Sequence, residues 1–165
     1  MVIPRFKKKS IENKFYELMR QKHFIVSTAE SCTGGMISAR IINVPGASDI
    51  LNEAFVIYSN KAKITRLQVQ SDTIETYGAV SGECVKEMAE NLHKLTECDL
   101  TIAVSGIAGP TGGTPLKPVG TVWFAFGLKG TTSVIKKHFY GNRQSIRKQA
   151  TIFALEKASE LVQLT

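Results

Sequence analysis

The chain has 165 residues, of which 43% are hydrophobic and 21% charged, with a formal net charge of +7. That length suits one domain with a core covered on two faces, and no apolar run reaches the roughly 20 residues a membrane-spanning helix needs. Cys32, Cys84 and Cys98 lack C-x-x-C spacing, which speaks against a disulfide framework or a Cys-rich zinc site and fits a reducing cytoplasm.

Residues 1–9 read as a basic tail containing Lys7-Lys8-Lys9, with no apolar stretch behind it, so no signal peptide is expected. Residues 10–165 are expected to form a single domain. Ile11, Phe15, Leu18 and Met19 recur at helical spacing behind Ser10, a capping residue type. Phe24-Ile25-Val26 reads as a short buried strand. Thr28-Ala29-Glu30-Ser31-Cys32-Thr33-Gly34-Gly35 then reads as a turn into a helix carrying Ile37 and Ile41. This places Ser31 or Thr33 near a helix N-terminus, where free N–H groups and the positive dipole end favour an anion or a developing oxyanion. Gly34 and Gly35 leave room for a ligand to approach the backbone. Read alone, the stretch is more simply an ordinary capped turn.

Pro45-Gly46-Ala47-Ser48 is a turn, residues 54–58 a strand ending at Ser59-Asn60, and residues 61–67 a short helix. Val85, Met88, Ala89 and Leu92 share one helix face, starting near Ser81. Residues 100–104 form a strand that leads into the glycine-rich segment 105–115. Residues 119–126 and 133–139 are two strands joined through Leu128-Lys129-Gly130-Thr131, and Asn142 caps a last helix with Ile146, Ala150, Phe153, Ala154 and Leu161 on its core face. Helices interleaved with strands, plus one late hairpin, predict an α/β fold: a three-layer α/β/α sandwich with a mixed β-sheet.

If the strands before Ser31, Tyr58 and Ser105 are parallel, their loops converge at the carboxyl edge where open α/β sheets bind ligands. Segment 105–114 has no G-x-x-x-x-G-K-[ST] and the chain no G-x-G-x-x-G, so the segment is either a phosphate cradle built from backbone N–H groups or a plain turn. Histidine is scarce, at His23, His93 and His138, and His23 before a strand and His93 on a helix flank are poorly placed as bases, which leaves a Ser-His-Asp triad poorly supported. A Ser-Lys pair could replace it, provided burial or a neighbouring positive charge lowers a lysine pKa from about 10.4. Lys63, just beyond a buried strand, could meet that condition, although read alone it is an exposed helix lysine. The positive charges are dispersed and no nucleic-acid-binding pattern accompanies them, so no nucleic-acid partner is expected.

Taken together, the motifs have a familiar order. Thr28 to Gly35 as written above, Tyr58-Ser59-Asn60 with Lys63, Gly78-Ala79-Val80-Ser81, Ser105-Gly106-Ile107-Ala108-Gly109-Pro110 with Gly112-Gly113, Lys117-Pro118-Val119-Gly120-Thr121-Val122-Trp123, and Gly141-Asn142-Arg143 follow one another along the chain. The series resembles the C-terminal domain family of competence-induced protein A (CinA), over about residues 10–163. Stand-alone members of that family look like nicotinamide-nucleotide amidohydrolases, which convert nicotinamide mononucleotide and water to nicotinate mononucleotide and ammonia. The resemblance implies Ser31 as nucleophile and Lys63 as its base, with no metal and no cofactor.

Around that pair, Tyr58 is expected to orient the amine or pack on the pyridinium. Thr33, Gly34, Gly35 and Ser105 are expected at the oxyanion and substrate. Gly106, Gly109, Thr111, Gly112 and Arg143 are expected at the phosphate. The expected partner is a small pyridine nucleotide, not a membrane, in the cytoplasm, and a homo-oligomer is compatible with this. The alternative is a non-catalytic nucleotide-binding or protein-interaction module. The chain departs from the family pattern at Asn142, commonly Asp, at Lys61, commonly acidic, and at Gln68, commonly Gly. The first two add positive character, which bears on substrate affinity or preference.

Overall fold

The computed structural model describes residues 9–165; the expected basic tail lies outside the described residues except for Lys9, whose Nζ pairs with Glu17 at 2.7 Å. Helix α1 (Ile11–Lys22) buries Phe15 and Met19 and stops at His23, which is left-handed with φ 55°. The N–H of His23 donates to Arg20 O and that of Phe24 to Met19 O, a paired helix stop with an apolar residue just beyond it. Phe24 therefore completes the helix end. The first strand, β1 (Val26–Glu30), starts later than the sequence pattern suggested. Residues Thr28 to Glu30, expected in a turn, are its last residues. The polarity of Thr28 and Glu30 hides this segment from a pattern built on apolar runs, although all five β1 residues are buried.

The remaining elements are α2 (Met36–Ile42), a 3₁₀ turn (Ala47–Asp49), β2 (Leu51–Val56), α3 (Asn60–Leu67), α4 (Ser71–Tyr77), α5 (Gly82–Thr96), β3 (Leu100–Gly106), β4 (Thr121–Leu128), β5 (Thr131–His138) and α6 (Arg143–Gln163). Strand β2 begins three residues earlier than expected, because the Pro45–Ser48 turn winds into the 3₁₀ segment and releases the chain at Leu51. Helix α4 was not expected: it is short, mostly exposed, and buries only Ile74.

The sheet runs β2-β1-β3-β4-β5, with β1 parallel to β2 and β3, and β4 antiparallel to both of its neighbours, β3 and β5. Alternation along the strands splits the core in two. Ile102, Val104, Phe124 and Phe126 pack with α1, α2 and α6 on one face. On the other face Ala29, Ala103 and Ala125, aligned in register across three strands, pack with Met88 and Ala89 of α5. The expected three-layer α/β/α sandwich with a mixed sheet is thus formed, and the carboxyl ends of β1, β2 and β3 share one edge.

One departure from the family pattern acquires a reason here. Gln68 ends α3 in the left-handed region at φ 53°, a conformation that costs a side-chain-bearing residue about 1–2 kcal/mol and that glycine adopts freely. Its carbonyl accepts from Asn91 and Gln70, but the exposed side chain makes no hydrogen bond. Gln68→Gly is expected to raise stability by about 0.5–1 kcal/mol, measured by urea denaturation, with activity unchanged.

Candidate active site

Strand alternation separates two adjacent polar residues at the end of β1. Glu30 pairs in register with Val104 and turns toward the α2 face, while Ser31 faces α3. The fully buried Glu30 carboxylate accepts from Gly35 N at 3.0 Å, Ile37 N at 3.0 Å and Ser38 N at 2.9 Å. It thus occupies the first turn of α2, where orphan N–H groups favour a carboxylate. Glu30→Gln turns one acceptor oxygen into a donor facing these N–H groups. It is expected to lower stability by about 2 kcal/mol in a denaturant titration.

Glu30 also revises the expected oxyanion site. Gly35 N is bonded to Glu30, and Gly34 N donates to Ser31 O at 3.1 Å, so neither glycine has a free donor. Ser31 N donates to Val104 O and Met36 N to Thr33 O. Among the described residues only Cys32 N–H and Thr33 N–H, of those in this turn, meet no acceptor.

Helix α3 starts at Ser59, whose Oγ accepts from Ala62 N, and this cap aims Lys63 back under the sheet edge. Lys63 is 1% exposed. Its Nζ lies 3.1 Å from Ser31 Oγ, 3.2 Å from Ile57 O and 3.3 Å from Tyr58 O, with no carboxylate partner among the described residues. Burial lowers the Lys63 pKa from its ordinary value. The nearby thiols supply no counter-charge: burial pushes Cys32 up to about 12 and Cys84 up to about 11, so both are neutral at pH 7.

An open pocket of about 180 Å³ lies above this pair, lined by Ser31, Tyr58, Lys63, Ser105, Gly106 and Arg143 among the expected residues. The sequence reading did not assign a role to Cys32, Asn60, Ala79, Val80 or Ala108, which complete the wall. Residues 78–81 were conspicuous only as a motif. They reach the pocket because Ser105 Oγ donates to Ala79 O at 2.7 Å and Lys117 Nζ holds Tyr77 O. Arg143 donates to Gly109 O at 2.8 Å and to Tyr58 Oη at 3.0 Å, bridging α6 to the chain after β2. Of the residues expected at the phosphate, Gly106 and Arg143 line this pocket and Gly109, Thr111 and Gly112 do not. Thr111 and Gly112 are exposed and lie outside the pocket wall, and a Cβ on Gly109 would sit 2.5 Å from Val119 Cγ1. Chain packing is therefore what requires that glycine. His93 lies away from the pocket, its Nδ1 on Cys98 O.

The model of the CinA C-terminal domain matches residues 8–162. The chain belongs to the CinA C-terminal domain family. It is 46% identical over 154 residues to a CinA-like protein of Petrotoga mobilis, covering 93% of this chain and 38% of that protein. A CinA-like protein of Thermotoga neapolitana is 47% identical over 146 residues, covering 88% and 36%. The chain thus spans less than two-fifths of the length of these curated relatives. The crystal structure of a competence-damaged protein (CinA) superfamily member from Klebsiella pneumoniae superposes with a TM-score of 0.91 at 32% identity, covering 94% of this chain and 97% of that one. A competence/damage inducible protein from Agrobacterium tumefaciens gives 0.84 at 34%, covering 98% and 99%. No helix among the described residues of this CinA-family chain is long and apolar enough to cross a membrane.

Proposed function

We propose that this CinA-family domain is an amidohydrolase that cleaves the carboxamide of nicotinamide mononucleotide through an acyl-enzyme on Ser31. The observation that carries the reading is the buried Lys63 amine, 3.1 Å from Ser31 Oγ and without an acidic partner among the described residues. A lysine so placed favours the neutral form that can accept the serine proton. Ser31 Oγ adds to the carboxamide carbon while its proton passes to Lys63 Nζ. The oxyanion that forms is met by the free N–H of Cys32, which lines the pocket, with the free N–H of Thr33 next in the turn, buried just outside the wall. When the C–N bond breaks, Lys63 returns the proton to the leaving nitrogen and ammonia departs. Water then adds to the acyl carbon and gives its proton to Lys63, which passes it to Ser31 Oγ as the acyl C–Oγ bond breaks, releasing nicotinate mononucleotide and the free serine.

Supporting groups fit the same substrate. Ser105 Oγ, its proton directed at Ala79 O, keeps lone pairs that can accept from the carboxamide NH₂. Tyr58, 61% exposed at the rim, offers an aromatic face to a pyridinium. Arg143 supplies a guanidinium fork for the phosphate once it exchanges Gly109 O and Tyr58 Oη for phosphate oxygens. The test is ammonia release from a panel of pyridine nucleotides without added metal. Binding of the mononucleotide with no ammonia released would instead favour a non-catalytic nucleotide-binding module. Arg143→Ala is expected to raise KM for the mononucleotide by about tenfold or more while changing that for the dephosphorylated riboside little. Equal changes for both would remove the phosphate assignment.

A further inference from the structure

The turn that carries Ser31 is held from outside by a residue that the chemistry above does not use. Arg147, half-buried in the second turn of α6, donates from Nε to Cys32 O at 2.9 Å and from Nη2 to Thr33 O at 2.8 Å. It has no carboxylate partner among the described residues. Gly34 leaves the guanidinium its space, since a Cβ there would lie 3.2 Å from Nη2.

The two carbonyls that Arg147 holds lead to the two free N–H groups. Cys32 C=O and Thr33 N–H belong to one planar peptide unit, so a cation on the oxygen polarises that N–H and, the unit being trans, turns it the opposite way. Thr33 C=O shares its unit with Gly34 N–H, which donates to Ser31 C=O at 3.1 Å, and that unit ends in Cys32 N–H. Each free donor is therefore the far end of a hydrogen-bond chain that starts at Arg147, and such chains strengthen their terminal bonds. We infer that Arg147 is a positioning residue for the oxyanion site, orienting and polarising Cys32 N–H and Thr33 N–H without touching substrate. The inference rests on Ser31 being the nucleophile.

Arg147→Gln and Arg147→Lys should be compared with wild type in two assays, each normalised to the folded fraction by circular dichroism. The first is kcat and KM for ammonia release from nicotinamide mononucleotide. The second is the rate at which a fluorophosphonate labels Ser31, read by mass spectrometry, because its phosphoryl oxygen needs the same donors whatever the natural substrate. Arg147→Gln is expected to lower kcat and the labelling rate by about tenfold to a hundredfold, less than removal of an oxyanion donor outright, with KM changed by no more than about twofold. Arg147→Lys, which keeps the charge but not the fork, should recover part of both rates. Unchanged rates per folded molecule would make Arg147 a structural strap only and overturn the inference. A raised KM with kcat intact would make it a substrate ligand and overturn it equally. If wild type is labelled on Ser31 but releases no ammonia, the pyridine-nucleotide reading fails while the labelling rates still decide Arg147. A wild-type Ser31 that resists labelling overturns both.

Discussion

Ser31→Ala is expected to reduce ammonia release from nicotinamide mononucleotide by about a thousandfold or more, since loss of a nucleophile leaves only what the oxyanion donors and binding contribute. The fold should be unaffected. Ser31 is held in place through its backbone, with N–H on Val104 O and C=O on Gly34 N, and its Oγ hydrogen-bonds only Lys63 among the described residues. Substrate affinity should persist as well, because Arg143, Tyr58 and Ser105 remain. Single-turnover assays on the purified variant, with calorimetric binding of the same nucleotide, check both halves. Turnover near wild type would remove Ser31 from the mechanism.

Lys63→Arg is expected to be almost as inactive, with kcat lowered by about a thousandfold or more, because a guanidinium does not give up its proton in a protein and general-base catalysis is worth about that much. The substrate should assist the wild-type base. A pyridinium brings a fixed positive charge close to Lys63, and like charge disfavours the ammonium form. The acidic limb of the kcat profile, which reports the bound complex, should therefore lie at lower pH than that of kcat/KM. Stability should record the same burial. The Lys63 pKa is lowered in the folded chain, so between that value and about 10.4 the unfolded chain holds more protons and wild-type stability rises with pH. Lys63→Met lacks this dependence. Relative to wild type it should be most favoured at and below the folded pKa, with the difference lost as pH climbs through about 10.4. Denaturation of both proteins at several pH values measures it, and a difference that does not vary with pH would contradict the burial argument.

What local pattern governs was legible in advance. Helices α1, α5 and α6 carry long apolar stripes, and Ser81 and Asn142 cap α5 and α6 through Cys84 N and Ser145 N. The late hairpin announced itself through Lys129-Gly130. The layered α/β architecture followed from the order of those elements. The motifs from Ser31 to Arg143 carried the family likeness and marked Ser31 and Lys63. Boundaries were less legible. Phe24 is as apolar as a strand residue, but its N–H closes the end of α1, and Ser27, Thr28 and Glu30 are polar although wholly buried in β1, an inner strand.

The chain's own residue order thus determined which groups could do chemistry, because residue type and spacing along one strand or helix are local properties. Only the tertiary structure decided which backbone groups were left to do it. Gly34 and Gly35 looked like the open donors of a helix start, yet Glu30, on the opposite strand face from Ser31, takes the N–H of Gly35 and the turn itself takes that of Gly34. Arg147 meets Cys32 O and Thr33 O across more than a hundred residues of chain, a pairing without sequence period. The depressed pKa of Lys63 likewise depends on burial by the assembled fold, which leaves its amine only Ser31 Oγ and the carbonyls of Ile57 and Tyr58 as partners among the described residues. Hydrogen-bond occupancy and desolvation arise from surfaces brought together by the whole fold, so neither can be read from a residue and its neighbours in the chain.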